Sequence, residues 1–374
     1  MSVKSLRRWS AALLGVVLTT GLWSVPAKAQ TASTEPVEKN VYSSTFLQSA
    51  GHEWSADRLS SNPSGNRKFL GLFAEEKVTF QLNDLPDHRF LRIRLDLLII
   101  RSWDGSGLEQ EDKRPDLFIM RLADGPCLLH TSFSNNEFIP DVGLQAFPWN
   151  YPGPAVKGRT GAFASNTLGF TFNHGQAGLK KSDTTYRFDI ILPHTSESLK
   201  LIFEGRNLTS TADEAWGLDN VRIDVLDSTP QQSLTQQQME KLWDEMTGLL
   251  PEKSLEAMWQ FVAAGETGQR FLEKKLNGLL PEDKTFDRLI ATLDDQEYRT
   301  RKKATEAIGK LGLLAMPVLR QKQYLVDSAE TRVRLSEAID TLGQTASEEP
   351  KLARKLWAAR ALSILKTSRR GEKD

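Results

Sequence analysis

Four carboxylates stand where apolar runs of the chain begin and end. Trp103-Asp104-Gly105 closes one run, Asp116 opens the next after Pro115, and Glu214 and Asp219 flank Trp216-Gly217. Carboxylate oxygens are hard ligands, and several converging from loop ends suit Ca²⁺, which takes about six to eight oxygens. The same residues have a plainer use, with Asp104-Gly105 making a turn and Asp219-Asn220 bonding to loop backbone. Aromatic rings lie beside the acids. Trp103 and Trp216 adjoin them directly, and Trp149 and Tyr151 occupy a loop rich in Pro and Gly. A sugar ring stacks its C–H face on an exposed aromatic while its hydroxyls bond to acidic side chains. Trp149, Tyr151, Trp103, Glu214 and Trp216 are therefore candidate glycan contacts. Trp103 and Trp216 equally suit the closed ends of a sheet core.

Other chemistries find little support. The histidines are His52, His88, His130, His174 and His194, and no pair has the spacing of a zinc hydrolase. No G-x-S-x-G marks a nucleophile elbow. The single cysteine, Cys127, excludes an intramolecular disulfide and carries no sign of an activated thiolate. A glycosidase would need two convergent carboxylates, which Asp104, Asp116 and Asp219 could supply. Catalysis thus stays open, and a non-catalytic reading is favoured.

These residues need elements to position them, and the chain changes its period once. From about Glu75 to Leu226 the pattern alternates by two. In RFLRIRLDLLII, Leu91, Ile93, Leu95, Leu97 and Ile99 face one way and Arg92, Arg94 and Asp96 the other. Val78/Phe80/Leu82, Phe118/Met120/Leu122, Tyr186/Phe188/Ile190/Leu192 and Val221/Ile223/Val225 repeat it. Alternation of this kind puts one face on a core and one in water, which predicts antiparallel sheet over 41–227. The Gln-rich stretch 228–238 predicts a linker. Over 239–374 the period becomes 3.6, as in Tyr298/Ala304/Ala307/Ile308/Leu311, Leu335/Ala338/Ile339/Leu342 and Ala358/Ala361/Leu362/Leu365. L-L-P-E occurs twice, at Leu249–Glu252 and Leu279–Glu282, as expected of repeated helix starts. The basic runs Arg299–Lys303 and Arg354–Arg360 read as solvated helix faces.

The 374 residues carry 48 basic and 48 acidic side chains, a net charge of +0. A neutral chain has no bulk attraction to nucleic acid or anionic lipid. Its N-terminus has Lys4, Arg7 and Arg8 before an apolar run to Trp23, then Ala27-Lys28-Ala29, the pattern of a secretory signal peptide over 1–29. Removing its four basic residues (Lys4, Arg7, Arg8, Lys28) leaves 44 basic against 48 acidic, a net of −4. The expected location is periplasmic, extracellular or on the cell surface, with no integral membrane segment after cleavage and a flexible stretch over 30–40.

Two resemblances extend this. FLGLF at Phe69, LPDH at Leu85, LDLLIIRSWDG at Leu95, RPDLF at Arg114, LLHTSFSN at Leu128 and EAWGLDNVRID at Glu214 occur in that order. They resemble exported bacterial β-sandwich domains of lectin-like or MAM-like topology, over most of Val41 to Asp227. That resemblance implies a jelly-roll-like sandwich with calcium held by Asp104, Asp116 and Asp219. Asp294, Asp295, Tyr298, Arg301, Ala304, Ala307, Lys310-Leu311-Gly312 and Pro317, with Glu330–Arg334, resemble HEAT-like helical repeats. The expectation is an exported binding protein whose sandwich takes a glycan or surface polymer and whose helices contact a protein partner. The alternatives are a glycoside hydrolase or lyase, and a structural envelope protein.

Overall fold

The computed structural model describes residues 37–106, 114–136, 143–228, 234–343 and 350–369. The expected signal peptide, most of the stretch 30–40 and the middle of the linker, 229–233, lie outside them. The described residues form fifteen strands and then eight α-helices. The strands are β1 (Glu38–Ser44), β2 (Leu59–Ser61), β3 (Lys68–Phe73), β4 (Lys77–Leu82), β5 (Phe90–Arg101), β6 (Leu117–Leu122), β7 (Cys127–Ser132), β8 (Leu144–Gln145), β9 (Val156–Lys157), β10 (Ala164–Ser165), β11 (Thr171–Asn173), β12 (Leu179–Lys181), β13 (Asp183–Pro193), β14 (Leu199–Arg206) and β15 (Glu214–Leu226). The helices are α1 (Gln236–Glu245), α2 (Pro251–Ala263), α3 (Gly265–Lys275), α4 (Asp283–Thr292), α5 (Tyr298–Gly309), α6 (Met316–Gln323), α7 (Ala329–Gly343) and α8 (Pro350–Ser368).

Two antiparallel sheets face each other. The larger runs β10-β13-β5-β15-β3-β2, with β1 also on β15, and the smaller runs β4-β14-β6-β7. The alternation explains the layering. Leu91, Ile93, Leu95, Leu97 and Ile99 of β5 share one core with Phe118 and Met120 of β6 and Leu201 and Phe203 of β14. Burial of such side chains contributes roughly 1.5–3 kcal/mol each. The outer face of the larger sheet is tied by ion pairs between neighbouring strands, Arg94 to Asp224, Arg92 to Asp189 and Arg187 to Asp96. Farther along the same face, Leu98 and Ile100 are covered by Leu168 and Phe170. The Asp183 carboxylate holds that covering segment by accepting from the N–H groups of Leu168, Gly169 and Phe170.

Helix α1 begins inside the expected linker. Thr235 accepts from the Gln238 N–H while the Gln238 side chain accepts from the Thr235 N–H, a capping box that turns the glutamines into a first helical turn. Pro251 opens α2 and Pro317 lies in the first turn of α6, where the missing N–H costs nothing. Helices α4 to α7 enclose a core of their own, with Phe286, Ile290, Ile308, Leu319, Leu335 and Ile339. Tyr298, expected on that inner face, is the first residue of α5 and is 64% exposed.

Helices α1, α2, α3 and α8 join the core of the sheets instead. Met258, Phe261, Trp357, Leu362 and Leu365 belong to the same cluster as the β5 side chains. The run Arg354–Arg360 is correspondingly no solvated face. Trp357 and Arg360 are buried, and Arg360 donates to Pro148 O at 3.0 Å and to Leu128 O at 3.0 Å. Burial lowers its guanidinium to about 10. All described residues fall within one compact unit. No helix among them is long and apolar enough to cross a membrane.

Candidate functional site

Three of the aromatic candidates are inside the core. The Trp103 indole N–H donates to Ala215 O at 2.8 Å and that of Trp216 to Ala74 O at 2.9 Å, and both rings are fully buried. Trp149 stacks on Trp357 of α8 with ring centroids 4.2 Å apart. Its Pro/Gly loop runs between the sheets and the helices, so the ring binds the two halves together and presents no face to a sugar. The loop was legible and the helix that covers it was not.

The carboxylates divide into two places. Asp104 and Asp116 do come together, since the Asp104 N–H donates to Asp116 Oδ2 at 2.7 Å. Glu214 lies beside them at the start of β15, where its Oε2 accepts from the N–H and hydroxyl of Thr209. Burial, with repulsion from Glu214, Asp104 and Asp213 outweighing the Asp104 N–H, pushes the Asp116 carboxyl up to about 8. Burial raises Glu214 as well. Asp219 is elsewhere. In the β15–β5 register it stands opposite Asp96, whereas Glu214 stands opposite Arg101. Five strand residues separate the two by about 16 Å. The parity also differs: Glu214 shares its face with Trp216, and Asp219 shares the outer face with Ala215. There Arg67 Nε donates to Asp219 at 2.7 Å, and Arg67 and Arg187 both reach Asp96. Among the described residues no three His, Cys, Asp or Glu side chains are placed to hold a metal ion. Asp104 and Asp116 thus stand together, while Asp219 stands apart from Glu214 along β15, on the opposite face and with Arg67 as its partner.

Tyr151 alone among the expected ligand residues lines a sizeable cleft. Its volume is about 410 Å³, and it lies where β6, β7 and β14 meet α6 and α7. From the strand side it is lined by Arg114, His130, Tyr151, Arg206 and Asn207, and from the helix side by Gln323, Arg332, Ser336, Glu337 and Asp340. Arg206 is oriented by Glu204, which accepts from its Nε at 2.6 Å. Arg332 is steadied by a bond from Nη2 to Val326 O at 2.8 Å. His130 Nδ1 is 2.6 Å from the Tyr324 hydroxyl. Burial, then the charges of Arg320 and Arg206, hold His130 well below its ordinary range, so the ring is neutral at pH 7. The lining thus combines three arginines, two carboxylates, and amide and hydroxyl side chains. The arrangement can bind a polar ligand bearing negative charge. The arginines escaped the sequence reading because strand and helix residues that share this wall are more than a hundred positions apart, and periodicity assigns faces without assigning neighbours.

No family model matches the chain, and no curated protein matches it. Among solved structures it has a likeness to the crystal structure of dimeric latent PorU from Porphyromonas gingivalis, at 12% identity and a TM-score of 0.24. That likeness covers 43% of this chain and 11% of the other, so the chain spans a small part of that protein's length.

Proposed function

We propose that this is an exported, non-catalytic binding protein that takes a glycan or surface polymer bearing acidic groups, in the cleft between sheets and helices. The observation that carries it is the lining of that cleft, which includes Arg114, Arg206 and Arg332 together with Tyr151, Asn207, Gln323 and Ser336. Guanidinium forks match carboxylate and sulfate geometry, and the amides match ring hydroxyls. Two facing sheets of jelly-roll type would supply one wall, and HEAT-like helices α4 to α7 the other, leaving the remaining helix surface for a protein partner.

A glycan array probed with the full mature chain tests this. Acidic glycans are expected to bind and neutral ones to bind at least about tenfold more weakly, a difference of about 1.4 kcal/mol. Arg332→Ala is expected to weaken binding, and Ser336→Trp, which fills the cleft, to abolish it. Release of reducing ends would instead favour the hydrolase or lyase reading. Binding unchanged in both variants would move the ligand out of this cleft.

A further inference from the structure

We propose that the groove between the free border of β13 and helix α2 takes an extended polypeptide carrying Lys or Arg, which adds to the larger sheet as a further strand. Strand β10 pairs with β13 only at Thr184 and Thr185, so from Tyr186 onward β13 is the border of its sheet. Existing hydrogen bonds fix which groups point outward. The Phe163 N–H donates to Thr185 O and the Asn166 N–H to Asp183 O, on the β10 side. On the β5 side, Ser182 O accepts from the Arg101 N–H, and the His194 N–H donates to Arg89 O. Odd-numbered residues of β13 therefore aim both N–H and C=O away from β5. Arg187, Asp189 and Ile191 continue that series, and among the described residues nothing bonds to their outward backbone groups. Pro193, with no N–H to offer, ends it, as proline does on a sheet border.

These residues line a groove of about 430 Å³ whose opposite wall is α2. The helix presents Glu252, Leu255, Glu256 and Trp259, spaced so that all four lie on one face. From Arg187 to Ile191 the border runs about 13 Å, with a donor and an acceptor at every second residue. A polypeptide strand repeats the same spacing, and its alternate side chains would meet the apolar wall of Leu255 and Trp259. Charge selects the kind of strand. Arg187 is held by Asp96 and Asp189 by Arg92. Glu252 and Glu256 have no cationic partner among the described residues, so the groove carries two uncompensated carboxylates. This groove is separate from the arginine-lined cleft, and its test fails or succeeds independently of the glycan reading.

The test is selection of a displayed library of random peptides of about ten residues against the full mature chain, with a Glu252→Lys/Glu256→Lys double variant for comparison. Enriched peptides are expected to alternate apolar residues with Lys or Arg. Methylating alternate peptide nitrogens, or reversing the two glutamates, is expected to weaken binding by about tenfold or more. Glu256 is exposed and Glu252 half-buried where they line the groove, and circular dichroism of the variant is expected to match the parent. Failure to enrich any peptide would overturn the proposal. So would enrichment of acidic peptides, binding insensitive to N-methylation, or a self-associated dimer that uses this border and excludes peptide.

Discussion

Two sheet borders face the helical half of this chain, and they are treated in opposite ways. The border of the smaller sheet, β7, is closed. Gln321 of α6 accepts from the Cys127 N–H at 2.7 Å and donates to Cys127 O at 2.8 Å, as a neighbouring strand would. Arg360 of α8 donates to Leu128 O, the Tyr151 N–H to His130 O and the Phe147 N–H to Ser132 O. The border of the larger sheet, β13, meets α2 across a groove and keeps the outward groups of Arg187, Asp189 and Ile191 unbonded within the described residues. An uncovered border is a template for pairing with another chain, and natural proteins usually blunt it. The helices here cover one border with side chains chosen to replace a strand and stand back from the other. The difference separates a structural junction from a place where a partner can add.

The closed border is the place to expect large effects. Trp149→Ala removes the ring stacked on Trp357 at the seam and is expected to cost about 3–5 kcal/mol of stability, read as a fall in the denaturant midpoint. Gln321→Ala leaves a buried N–H and a buried C=O of Cys127 without partners. An expected loss of about 2–3 kcal/mol follows, again by denaturant unfolding. A conservative Gln321→Glu is expected to recover little, since it has no N–H for Cys127 O.

Asp116, just before β6 of the smaller sheet and beside Asp104, sharpens the comparison by pH. Its folded carboxyl keeps a proton up to about 8, while the unfolded one ionises near 3.8. The folded state thus binds more protons between those values, and its stability falls as pH rises through that window. Asp116→Asn does not titrate and keeps an oxygen for the Asp104 N–H. It is expected to match the parent near pH 4 and to exceed it by a margin that widens as pH rises toward 8, in melts across the range. A parent curve as flat as the variant's would place water or a cation beside this carboxyl. The smallest effect belongs to the open border. Ile191→Pro deletes an N–H that has no partner among the described residues, and a stability change within about 1 kcal/mol is expected, with peptide binding lost.

The sequence made the layers readable and hid their junction. Leu91 to Ile99 alternate because one face of β5 meets a core, and that core is where the structure has them. Cys127 is buried as its apolar run requires. Leu335, Ala338, Ile339 and Leu342 likewise face inward on α7. What periodicity could not supply is which face meets which. Helix α8 is buried on nearly every side between sheets and helices, so its basic residues look solvated in the sequence while Arg360 is a buried donor to two carbonyls. Trp149 sits in a loop whose composition suggests a surface, and a helix about two hundred positions later covers it. Of the expected site residues, Asp104, Asp116 and Glu214 gather as their positions at strand ends implied, and Tyr151 reaches a cleft. Asp219 does not join them, because one residue of parity sends a strand side chain to the other face.

The contrast between the two borders can be measured without any ligand by residue-resolved amide hydrogen exchange on the full chain. The account predicts that the Cys127 amide, bonded to Gln321, is strongly protected, while the amides of Arg187, Asp189 and Ile191 exchange orders of magnitude faster and slow only when a selected basic peptide is added. Equal protection of Cys127 and the three β13 amides in the free chain would contradict it, because the border on which a partner strand is meant to add would already be closed.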